Sequence, residues 1–150
     1  AVKRLDLLVR LFGKIYVVPL VDEQVKRDRK SYDVYRADFP IYFPDVAAEN
    51  ELADLRRVHG VGVGDADRSA AIAARDSGGI LLTRDNNLIK EAIDILGVSP
   101  SDFIGTVEIL EMCVKSGFLK KKEALMLCDD ISEKRCPLEE LDRSRLEKLP

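Results

Sequence analysis

Four aspartates punctuate the stretch "GVGVGDADRSAAIAARDSGGILLTRDNNL" at residues 60–88, and their placing is what a chemist notices first. Asp67 lies in the first turn of an alanine-rich helical pattern, and Asp85 comes two residues after the apolar run "ILLT". Each has a plain structural use. An acid in a first helical turn complements the helix dipole and caps free N–H groups, which Asp65 could do equally well. Asp85 in "RDNN" reads as the start of an Asx turn. Yet the carboxyl end of a strand in an open parallel sheet is where ligands bind. Asp22 and Glu23 follow "KIYVVP" in the same way, and Glu23 is preferred over Asp22. Acids at three strand–helix junctions along one sheet edge are what a divalent cation requires. Mg²⁺ and Mn²⁺ take hard oxygen ligands, few protein contacts and several waters. Carboxylates that converge without a cation repel one another.

The elements that would position these acids alternate. Leu5, Leu8, Val9 and Phe12 share a helical face that Gly13 ends. "KIYVV" (14–18) is β-branched and aromatic, hence a strand, and Pro19 suits the first turn of a helix carrying Val21 and Val25. "KRDRK" (26–30) closes that helix or opens a loop. An irregular region with Pro40 and Pro44 follows, containing a short extended piece at "IYF". Helices are expected over 49–59, 67–76, 88–96 and 107–115, with glycines at 60, 78, 97 and 117 as stops. "ILLT" has the continuous apolar character of a strand buried on both faces of a parallel sheet, and "DFIG" (102–105) is a short strand. The tail predicts two more helices, 120–131 and 138–149, separated by Pro137. Such alternation points to an α/β domain with a parallel sheet. The 150 residues are expected to form one domain, with a core over 1–119. The tail helices, with Leu125, Leu127, Ile131, Leu138, Leu141, Leu146 and Leu149, would close the back of the sheet or pair two protomers.

Composition excludes several classes. A net charge of −3 argues against a bulk electrostatic nucleic-acid binder, though not against a local basic rim. There is no apolar run long enough for a membrane span, and "AVKRLDLLVRLFG" is too charged for a signal peptide. Cys113, Cys128 and Cys136 lack metal-ligand spacing and read as reduced thiols of a cytoplasmic protein. "GVGVGD" follows a helix with the wrong glycine spacing for a dinucleotide fingerprint and reads as a flexible connection. His59 is the single histidine, so a histidine acid–base pair is not available.

The block "DADRSAAIAARDSGGILLTRDNNLIKEA" resembles the PIN-domain family of metal-dependent ribonucleases. Asp67, Gly78, Thr83 and Asp85 fit the family pattern in register: an acid heading an alanine-rich helix, a glycine, an apolar strand and a T-x-D tip. "FIGTVEILEMCVKSGFL" resembles the helix that follows in the family. "LDLLVRLFGKIYVVPLVDEQV" resembles the stretch from the first helix to the second acid. The resemblance implies a three-layer α/β fold with a central parallel sheet flanked by helices. It also implies metal ligands at Glu23, Asp67 and Asp85, with Asp22 and Asp65 as lesser candidates. Thr83 and Thr106 would be supporting hydrogen-bond donors. The family's first acid sits on a strand ahead of the first helix. This sequence begins at that helix, so either the strand lies upstream of Ala1, which the lack of an initiating Met favours, or the chain is a trimmed and impaired member.

The implied chemistry is hydrolysis of RNA phosphodiester bonds with Mg²⁺ or Mn²⁺. Asn86 and Asn87 would position water or a ribose hydroxyl. Arg84, Arg68, Lys26 and Arg27 would contact phosphates. Single-stranded RNA is the substrate class the resemblance favours, with Tyr32, Tyr35 and Tyr42 available for stacking. It suggests the toxin half of a toxin–antitoxin pair, with an antitoxin protein as partner, or a processing nuclease, and a homodimer. The alternative is a catalytically impaired PIN-like module that binds RNA or a protein.

Overall fold

The computed structural model describes residues 4–26, 33–60, 62–133 and 140–150. In chain order these form α1 (Leu5–Phe12), α2 (Pro19–Lys26), a 3-10 turn (Asp33–Asp38), α3 (Val46–His59) and α4 (Asp65–Ser77). Then come β1 (Leu81–Leu82), α5 (Asn86–Asp94), a second 3-10 turn (Pro100–Asp102), β2 (Phe103–Ile104), α6 (Thr106–Lys115), α7 (Lys121–Glu133) and α8 (Glu140–Glu147). The chain divides into two compact units, Tyr16–Ile104 and Ala1–Ile15 with Gly105–Pro150.

The unit 16–104 is organised on α4. Its helix packs against α2, α3, α5 and β1. Ala71, Ile72 and Ala74 join Ala48 and Leu55 of α3, Leu88 and Ala92 of α5, and Leu81, Leu96 and Val98 in one apolar core. Alanine makes this possible, because a side chain of one carbon lets neighbouring backbones approach closely; Ala71 and Ala92 are both fully buried. The helix ends are set locally. Asp45 caps α3 by accepting the Ala48 N–H at 2.8 Å. Gly78 closes α4 at φ 64°, in the left-handed region, and the Gly79 N–H turns back onto the Ala74 carbonyl at 2.8 Å.

The expected three-layer fold with a central parallel sheet is not what these residues form. The described chain is 66% helix, and its named strands make one two-stranded parallel sheet. Leu81 pairs with Phe103 and Leu82 with Ile104, and the Thr83 N–H extends the ladder to the Ile104 carbonyl at 3.0 Å. The "KIYVV" segment contributes a single parallel bridge, Val17 to Ile41, closed by Val17 N–H to the Pro40 carbonyl and Tyr42 N–H to the Val17 carbonyl. A strand exists through its neighbour's hydrogen bonds, so apolar β-branched sequence without a continuous partner stays at bridge length. Helix starts also crowd the pairings: Pro19 opens α2 directly after Val18, and Asp85 caps α5 two residues after Thr83.

The second unit is helical. Leu7 of α1, Val107, Leu110 and Cys113 of α6, Leu119, Ala124 and Cys128 of α7, and Leu146 of α8 form its core. Arg145 of α8 bridges Glu108 at 2.6 Å and Glu111 at 3.0 Å on α6, and Arg10 lies 4.5 Å over the Phe118 ring. This unit groups α7 and α8 with α1 and α6. Leu125, Leu127 and Leu149 pack partly buried against this core, whereas Leu138 lies outside the described residues. Among the described residues no helix is long and apolar enough to cross a membrane.

The tight alanine contacts of α4 predict a sensitivity to size. Ala71→Leu should destabilise the protein by about 1–3 kcal/mol through overpacking, and Asp45→Ala by about 1 kcal/mol through loss of the cap, in urea unfolding followed by circular dichroism.

Candidate carboxylate site

Asp67 and Asp85 stand at the starts of two helices of the unit 16–104, near enough for the charge of one to act on the other. Asp67 occupies the first turn of α4 and is half-buried, with its Oδ2 close over the bare Cα of Gly64: a Cβ built there would stand 3.3 Å away. Asp85 is exposed and is the N-cap of α5. Its Oδ1 accepts from the Asn87 N–H at 2.8 Å and the Leu88 N–H at 3.2 Å. The Thr83 hydroxyl oxygen accepts the Asp85 N–H at 3.2 Å, which fixes the strand-to-helix corner. Thr83 thus supports Asp85 through its backbone.

The two acids feel one another. The Asp67 carboxyl holds its proton above the ordinary aspartate range, first because burial penalises its charged form and second because the Asp85 charge repels it. Asp85 keeps two backbone donors of its own.

The other expected site residues are placed differently. Glu23 is exposed on α2. Asp22 beside it is 2% exposed and pairs with Arg36 of the first 3-10 turn, Arg36 Nη2 standing 3.5 Å from Asp22 Oδ2. Asp65 pairs with Arg56 of α3. Among the described residues, no three His, Cys, Asp or Glu side chains come together as a group that could hold a metal. Asn86 and Asn87 are exposed in the first turn of α5, and Arg84 is exposed one residue before Asp85. Thr106 opens α6, which belongs to the other compact unit. Lys26 ends α2, while Arg27 and Tyr32 lie outside the described residues.

Arg68 is the largest departure. Read from the sequence as a phosphate contact, it is fully buried. Its Nε and Nη2 donate to Glu91 of α5 at 2.5 and 3.1 Å, and its Nη1 donates to the Gly60 carbonyl at 2.9 Å. The signal was present: Arg68 stands three and four residues before Ala71 and Ile72, on the buried face of α4.

No family model, curated protein or solved structure matches the chain. The site therefore rests on its own geometry.

Asparagine caps a helix as well as aspartate does, so Asp85→Asn removes the charge and keeps the corner. In a carbon-detected carboxyl titration, Asp67 of that variant should titrate lower than in the parent, yet still above the ordinary range because its burial is unchanged. The sign for stability follows. Asp67 binds its proton more tightly folded than unfolded, so its contribution is most favourable below the unfolded value. That contribution is lost as pH rises through the raised folded value. Asp85→Asn should therefore flatten the fall in stability on going from acid into the range above ordinary aspartate titration, measured by thermal unfolding at stepped pH.

Proposed function

We propose that Asp67 and Asp85 are the core of a divalent-cation site and that the protein is a metal-dependent endoribonuclease of the PIN type. The observation that carries this reading is the coupling of two carboxylates delivered by separate helix starts, with Asp67 left partly desolvated and repelled by its neighbour. A cation relieves that repulsion, so these residues suit hard-metal binding, and Mg²⁺ or Mn²⁺ matches carboxylate donors. The register of Asp67, Gly78, Thr83 and Asp85 supports the same reading. When bound, such an ion would acidify a water and stabilise charge on a phosphate.

The chain's own contributions are positioning and charge. Asp67 and Asp85 hold the cation. Thr83 and the α5 amides orient Asp85 through the hydrogen bonds at that corner. Arg84 adds positive potential beside the acids for a phosphate backbone, and the exposed Asn86 and Asn87 offer donors and acceptors to a ribose or a phosphate. Single-stranded RNA fits an open, exposed rim of this kind. Glu23, exposed on α2, is the further ligand that the resemblance favours. A cytoplasmic setting, an antitoxin partner and a homodimer belong to the same proposal.

A second reading is favoured by one observation: Asp22 is committed to Arg36, and a third acid does not join the pair among the described residues. On that reading the chain binds RNA or a protein without cutting. Incubation of the protein with end-labelled single-stranded RNA and Mn²⁺ decides. The nuclease reading expects cleavage that falls by about 100-fold or more in Asp67→Asn and Asp85→Asn. Binding without cleavage supports the module, and neither binding nor cleavage removes the RNA reading.

A further inference from the structure

We propose that the buried Arg68–Glu91 pair is a positioning clamp that sets the separation of Asp67 and Asp85; the inference rests on the metal-site reading above. Arg68 adjoins Asp67 in the first turns of α4. Glu91 stands on α5, the helix that Asp85 caps. The guanidinium therefore links the two helices that deliver the two acids. It donates through its fork, Nε at 2.5 Å and Nη2 at 3.1 Å, to the two oxygens of Glu91. A third donor, Nη1, reaches the Gly60 carbonyl at 2.9 Å, which ties in the end of α3. Three helices meet at one planar cation.

A stability role alone does not call for this arrangement. Taking an arginine and a glutamate out of water is costly, and an apolar pair of similar volume often serves a core as well or better. What an apolar pair lacks is direction, because hydrophobic attraction is non-directional whereas the bidentate fork fixes both distance and angle. Direction matters for ligands of a small cation. Mg²⁺ and its analogues accept oxygen donors within a narrow range near 2.1 Å, so helix slippage of a fraction of that length spoils a two-carboxylate site. Ala71 and Ile72 of α4 share one apolar core with Leu88 and Ala92 of α5, and attraction of that kind has no direction of its own. The Arg68 fork supplies one. Arg75 offers an internal comparison. It bridges Glu51 of α3 at 2.7 and 2.8 Å from the other end of α4, partly exposed and far along the helix from Asp67.

The test is Mn²⁺ affinity, read by electron paramagnetic resonance on the full chain, with folding checked by circular dichroism. The variants are Arg68→Met, Arg68→Lys, Glu91→Gln and, as comparison, Arg75→Gln. The clamp predicts a loss of affinity of about 10-fold or more in Arg68→Met and Glu91→Gln, on the scale of lost outer-shell partners. Arg68→Lys should recover little, since its single ammonium does not restore the fork. Arg75→Gln should bind Mn²⁺ as the parent does. Should Arg68→Met fail to fold, Glu91→Gln carries the test, because it keeps shape and an acceptor. Affinity within twofold of the parent in a folded Arg68→Met or Glu91→Gln overturns the clamp alone, as does an equal loss in Arg75→Gln. A parent protein that does not bind Mn²⁺ overturns the metal-site reading and the clamp with it.

Discussion

Neighbouring helices can press on α4 from several sides because its buried face is built from alanine around Arg68, Ser69 and Ile72, and Asp65 and Asp67 are held at the start of that helix. Ala71 and Ile72 carry the apolar part of the contact, and Arg68 carries the polar part. α4 and α5 are thereby packed together, with Asp67 in the first turn of one and Asp85 capping the other. Their mutual repulsion is a consequence of packing elsewhere: apolar burial and one buried ion pair hold together two charges that water would separate.

The polar ties in this unit divide by burial. Arg56–Asp65 and Arg57–Asp54 are exposed, where solvent screening leaves an ion pair worth little. Arg68–Glu91 and Asp22–Arg36 have one partner almost wholly out of water. Breaking such a pair strands a buried charge, which is strongly destabilising even where the intact pair adds little net stability. These two pairs fix geometry: the first sets α5 on α4, and the second sets the Asp33–Asp38 turn on α2. The second also explains why Asp22, the more buried of the two neighbouring acids, is not offered to the Asp67–Asp85 pair.

What the sequence makes legible is local. The helix over α4, its alanine face, the stop at Gly78 and the cap at Asp85 all follow from residue types within a few positions, and α1, α2, α5, α6 and α7 appear where periodicity and glycine place them. What fails is non-local. "KIYVV" and "ILLT" have strand composition, but a strand is completed by a partner elsewhere in the chain. Among the described residues each finds pairing on one side, as a bridge or a two-residue ladder. A two-stranded sheet offers no common edge to three acids: the charges of Asp67 and Asp85 still interact, while Asp22 pairs with Arg36 and Glu23 is exposed. Arg68 was misplaced for a related reason. A charged residue is assigned to the surface by default, and its helical spacing from Ala71 and Ile72 outweighed its charge because Glu91, far along the chain, was there to receive it.

On the proposed reading, Asp67 and Asp85 act together on one cation. The most direct measurement is substoichiometric Mn²⁺ added to the isotope-labelled protein, with paramagnetic broadening mapped over the backbone amides. A cation shared by the two acids broadens the amides at residues 65–68 and 85–88 first and together, and Asp85→Asn abolishes both sets. Broadening that begins instead at Asp129 and Glu147, or that spreads evenly over exposed acids, would contradict it.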